Sequence, residues 1–60
     1  MSVNEKVRLF RELNQWSQEE MAERMNMSVA GYAKIERGET NISLHKLKQI
    51  ASVLQIDLLD

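Results

Sequence analysis

The side chains of this 60-residue chain that could do chemistry are hydroxyls, amides and cations, not nucleophiles or metal ligands. With no cysteine, neither a disulfide scaffold nor a thiolate zinc site can form. The single histidine, His45, leaves almost nothing for another transition-metal site and reads as a solvated side chain in the first turn of a helix. No nucleophile is paired with a base, no glycine-rich loop could cradle a phosphate, and a chain this short has little room for a pocket. No catalytic residue, metal site or cofactor is therefore expected. Hydrogen-bonding side chains and scattered cations remain. Gln18 is the sharpest of them. It falls in the first turn of a predicted helix, where its amide and the free backbone N–H groups attract the same anion.

The elements that must position these groups are all helical. Ser2-Val-Asn-Glu5 and Ser17-Gln-Glu-Glu20 both read as capping boxes. After the first, Val7, Phe10 and Leu13 recur at helical spacing beside Val3 and Leu9, and Asn14-Gln15 ends the helix with Trp16 in the corner. After the second, Met21, Ala22 and Met25 form an apolar stripe, and Asn26 is a plausible left-handed stop. Ser28 caps a third helix over residues 29–37, which Gly38 terminates. Residues 39–42 form a loop. Ser43 caps a fourth helix with the apolar face Leu44, Leu47, Ile50, Ala51 and Leu54. Ile56, Leu58 and Leu59 suggest a fifth, single-turn helix closing the core. Trp16, Phe10, Tyr32 and the methionines read as core or corner packing, with the Tyr32 hydroxyl reaching the surface. No segment alternates with period two. The connection between the second and third helices is only about three residues, which forces a steep crossing.

Composition agrees. Hydrophobic residues make up 43% and charged residues 28%, no proline is present, and glycine occurs twice, which favours one small helical domain over residues 1–60. No apolar run approaches the roughly 20 residues of a membrane span, so a cytoplasmic location is expected. Charge is less informative. Eight Lys/Arg stand against nine Asp/Glu, a net charge of −1, whereas nucleic-acid binders are often basic. Any site for an anionic partner must be a local arrangement.

From Ser17 to Gly38 the chain resembles the helix-turn-helix of the lambda-repressor/Cro, or Xre-type, family. Ser17-Gln18, Met21-Ala22, the capping Ser28 and Ile35-Glu36-Arg37-Gly38 fill the places of that family's pattern. Arg11 matches its first-helix arginine, and residues 43–59 match the apolar rhythm of its last two helices. Each element alone is weak, but together they are in register over nearly the whole chain. The resemblance implies an all-α bundle of five short helices, with the helix-turn-helix at about residues 17–38. It implies a sequence-specific, repressor-like regulator of transcription, bacterial or phage-encoded and nucleoid-associated. Such a protein binds double-stranded DNA as a homodimer on a palindromic operator, with half-sites roughly 34 Å apart.

By the same resemblance the third helix enters the major groove, and base contacts fall to Ser28, Val29, Ala30 and Lys34, with Gly31 and Ala33 at the margin. Lys34 can donate to guanine or to a phosphate, and Val29 and Ala30 can pack on a thymine methyl group. This is where the chain departs most from the family, which often has polar residues here. The Val-Ala-Gly start implies low specificity, reliance on DNA shape or a different partner. Phosphate contacts fall to Gln18, Arg37, Thr40, Asn41 and Ser43, while Glu39 would repel phosphate. Ile42 stands where the family usually has proline. Arg11 and Glu36 are expected to form a structural ion pair. Dimerisation is expected through Ile42 and Leu58-Leu59. The alternative is a protein-interaction module that keeps the fold without specific DNA binding, with Val29, Ile42 and Leu58 as its contact patch.

Overall fold

Four serines set where the helices begin. The computed structural model describes residues 1–57 and contains, among them, α1 (Val3–Leu13), α2 (Gln18–Arg24), α3 (Val29–Arg37) and α4 (Leu44–Leu54). Ser2, Ser17, Ser28 and Ser43 each sit in extended backbone just before a helix. Each Oγ accepts the N–H three residues on, at 3.4 Å from Glu5 and 3.0 Å from Glu20, Gly31 and Lys46. One otherwise free N–H of each first turn is thereby satisfied. The acidic residues of the two capping boxes do a different job from the expected one. Glu5 accepts from the Ser2 hydroxyl at 3.0 Å, and Glu20 accepts from Arg24 Nε at 3.2 Å.

The helix ends are equally uniform. Gln15, Asn26, Gly38 and Gln55 all take left-handed backbone, with φ of 61°, 56°, 75° and 57°. The residue after each turns its N–H back to a carbonyl in the last turn: Trp16 to Arg11, Met27 to Ala22, Glu39 to Lys34 and Ile56 to Ala51. These are Schellman closures, which satisfy carbonyls that the helix itself cannot. Gly38 meets a second constraint, because a Cβ there would lie 3.2 Å from Asn4 Nδ2.

Val7, Met21, Ala22, Met25, Tyr32, Ile35, Ile50 and Leu54 form the buried core. Phe10, Trp16, Met27, Ile42, Leu47, Ala51, Val53 and Ile56 pack partly against it. α3 packs on both α2 and α1, and α4 packs on α1. The Gln49 side chain donates to the Met25 carbonyl at 3.1 Å, tying α4 to the end of α2.

Several expectations need correction. Leu13 and Leu44 carry the helical spacing but are 66% and 58% exposed, because each sits at a helix end beyond the reach of a neighbour. Met1 is exposed as well, unlike the other methionines. The Tyr32 hydroxyl does not reach the surface, since the residue is fully buried. Ile56 and Asp57 are not helical, and Leu58-Leu59, on which the expected fifth helix and part of the dimer surface fall, lie outside the described residues. Among the described residues, no helix is long and apolar enough to cross a membrane.

Candidate nucleic-acid interface

The interface is built outward from a buried polar cluster. Arg11 near the end of α1 and Glu36 near the end of α3 form the expected ion pair, with Nε to Oε2 at 2.6 Å and the second guanidinium nitrogen to Oε1 at 3.3 Å. Their side chains are only 10% and 3% exposed. Two further donors reach the same carboxylate. Gln18 Nε2 donates to Oε1 at 3.0 Å, and the Tyr32 hydroxyl donates to Oε2. Arg11 also donates to the Trp16 carbonyl at 2.6 Å, immediately before the α2 cap. One buried carboxylate thus joins α1, α2 and α3, and among the described residues no buried side-chain polar atom is left unpaired.

The protonation equilibria follow from this geometry. Burial pushes the Glu36 carboxyl up, but the hydrogen bonds from Arg11, Tyr32 and Gln18 outweigh it and hold the group below its ordinary value. The hydrogen bond to Glu36 raises Arg11 further. Burial, and then donation to Glu36, push the Tyr32 hydroxyl up. All three stay in the protonation state the cluster needs at neutral pH.

Beyond the cluster lies the exposed face of α3. Ser28, Val29, Ala30 and Lys34 are all exposed there, Val29 to 43%. Ala33, expected at the margin of this face, is buried instead, since its position turns toward the core side of the helix. Lys34 enters none of the four ion pairs among the described residues. A Cβ at Gly31 would lie 3.0 Å from the capping Ser28 Oγ, yet Glu5, Glu20 and Lys46 each carry one at the equivalent place after the other three caps, so the cap alone does not require glycine.

The loop after α3 stands beside this face. Lys34, Thr40, Asn41 and Ser43 line one groove of about 270 Å³, floored by Met27, Gly31, Ile35 and Ile42. Lys46 joins its rim as a second cation, a residue the sequence pattern does not single out, although it stands one turn into the helix that Ser43 caps. Thr40, Asn41 and Ile42 also border a second hollow of about 260 Å³ with Asn4, Gly38 and Leu47. Ile42 is half-buried, because it packs on the core. Arg37 and Ser43 are exposed, but Arg37 is not part of the groove. It donates from Nε to Glu39, with a second contact at 3.5 Å. The pairing holds Glu39 below and Arg37 above their ordinary values, and it locally balances the charge that would have repelled a phosphate. Gln18 stands apart from the groove, at the head of α2, with its amide on Glu36.

A helix-turn-helix family model, of the Xre/lambda-repressor type, matches residues 7–60. The chain belongs to this family. Its members are DNA-binding regulatory domains and are not typically enzymes. No curated protein and no solved structure matches the chain. Within this helix-turn-helix chain, α2 and α3 are the two helices joined by the short Met25–Ser28 connection and packed on each other.

Proposed function

We propose that the chain is a sequence-specific, double-stranded DNA-binding regulator of transcription, repressor-like, that inserts α3 into the major groove and acts as a homodimer on a palindromic operator. The observation that carries this reading is the grouping of Lys34, Thr40, Asn41 and Ser43 around one groove beside the exposed start of α3. A helix bearing Ser28, Val29, Ala30 and Lys34 toward the bases, flanked by a polar loop for the phosphates, matches how such proteins divide positioning from reading. Ser28 contributes its hydroxyl proton, its lone pairs being turned to the Gly31 N–H. Val29 and Ala30 read thymine methyl groups, and Lys34 reads guanine or holds a phosphate. Gln18, Arg37, Thr40, Asn41 and Ser43 hold the backbone. The region of Ile42 and Leu58-Leu59 forms the dimer contact.

A net charge of −1 does not oppose this reading, because the cations that matter are local: Lys34 and Lys46 share the groove. The test is duplex binding against salt concentration. Binding should weaken steeply, with a log–log slope of about −0.9 per phosphate neutralised. Lys34→Ala should weaken it further. Retention that ignores both salt and Lys34 would contradict the proposal and favour an interaction module.

A further inference from the structure

The buried cluster has one member that charge neutralisation does not require. Arg11 and Glu36 already neutralise each other, and a phenyl ring at position 32 would fill the core as well as a phenol does. Yet Tyr32, fully buried, donates its hydroxyl to Glu36 Oε2, the oxygen that Arg11 Nε holds at 2.6 Å. The arginine fork is correspondingly lopsided, because its other arm reaches Oε1 at only 3.3 Å. An arginine–carboxylate fork left to itself tends toward two parallel bonds of similar length. Oε1, thus less engaged by arginine, is the atom that accepts Gln18 Nε2 at 3.0 Å.

From this geometry we infer that Tyr32 is a positioning residue for Gln18: by engaging Oε2 it fixes the Glu36 carboxylate so that Oε1 faces the head of α2 and orients the Gln18 amide for a phosphate. Gln18 keeps a second N–H on the same nitrogen, which a fixed amide plane aims in one direction. Arg11 reinforces the arrangement by holding the Trp16 carbonyl, one residue before the α2 cap. The α2 head is therefore pinned both by its backbone and by its first side chain. Removing the Tyr32 hydroxyl lets the carboxylate turn, lets the fork become symmetric, and frees Gln18 to rotate. The inference rests on the DNA-binding reading for the phosphate, whereas the coupling between Tyr32 and Gln18 follows from their shared carboxylate.

The experiment has one arm without DNA and one with it. In the free chain, the Gln18 side-chain amide should be ordered on the nanosecond scale by NMR relaxation, and Tyr32→Phe should abolish that order. Tyrosine occurs once in the sequence, so uniform 3-fluorotyrosine labels this site alone and tests the same coupling without loss of the hydroxyl. It should shift the Gln18 amide resonances. An amide that stays ordered in Tyr32→Phe, or, if that variant does not fold, one that ignores the fluorine, overturns the proposal.

With duplex, Gln18→Ala and folded Tyr32→Phe should each weaken binding roughly tenfold. The salt slope should be unchanged, since neither residue is a cation. The double variant should bind no more weakly than Gln18→Ala. Additive losses overturn the proposal, because Tyr32 would then act by a route other than Gln18. Equal duplex binding by wild type and Gln18→Ala overturns the phosphate role of Gln18, and the amide order distinguishes that failure from failure of the coupling.

Discussion

Removing one partner of the Arg11–Glu36 pair should come close to unfolding the domain. Glu36→Ala strands three donors at once: the Arg11 guanidinium, the Tyr32 hydroxyl and the Gln18 amide. Arg11→Ala leaves a carboxylate that is 3% exposed with two neutral donors, and frees the Trp16 carbonyl. Breaking a buried pair in this way costs about 3–5 kcal/mol. A chain of this length has only about 3–9 kcal/mol of stability in total. For so small a domain each kcal/mol moves Tm by about 4–8 °C, so the fall should be roughly 12–40 °C or the transition should vanish. The double variant Arg11→Met/Glu36→Leu should recover part of the loss, since it leaves no buried charge unpaired. Thermal and urea melts followed by far-UV circular dichroism measure all three proteins. Single variants that melt within about 4 °C of wild type, a cost of at most about 1 kcal/mol, would refute the claim that this carboxylate joins the helices.

Other expectations follow from the same structure. Glu36 titrates lower in the folded chain than in the unfolded one, so its stabilisation is complete above the unfolded carboxylate value of about 4.3 and is lost as pH falls through the folded value. Tyr32 is raised, so its contribution is complete below about pH 10 and is lost above it; Tm plotted against pH should fall on both flanks, and Tyr32→Phe should flatten the alkaline one. Gly38→Ala should cost at least about 1–2 kcal/mol in a urea melt, because φ is +75° and Asn4 Nδ2 lies in the way. Gln15→Gly should raise Tm by about 4–8 °C, since left-handed backbone costs a non-glycine residue roughly 1 kcal/mol and this side chain is exposed.

Much of the fold could be read from local chemistry. A serine three residues before a helical N–H is a short-range device, so all four helix starts were legible. Asn26 and Gly38 are residue types that tolerate left-handed backbone, so those stops were legible too. The end at Asn14-Gln15 was legible as well, but the left-handed backbone of Gln15 and Gln55 was not, because glutamine has no such preference. Their conformation follows from closures that return Trp16 and Ile56 to the core, which only the packed chain reveals. Leu13 and Leu44 misled because periodicity marks a face and not its depth of burial.

The candidate site divides in the same way. The Arg11–Glu36 pair was legible through the family resemblance. That Gln18 and Tyr32 share the same carboxylate was not, although Tyr32 and Glu36 are four apart on one helix, the spacing at which side chains meet. The pairing of Arg37 with Glu39 was missed because the chain turns between them at Gly38. The groove beside α3 depends on where the loop returns, and no local pattern encodes that.

On the function proposed above, α3 and its flanking loop read double-stranded DNA. Selection of bound sequences from a randomised duplex library at low salt tests it most directly. Enrichment of a two-fold-related motif with half-sites about one helical turn apart is expected, and Lys34→Ala should abolish it. No enrichment, together with no salt-sensitive retention of any duplex, would contradict it.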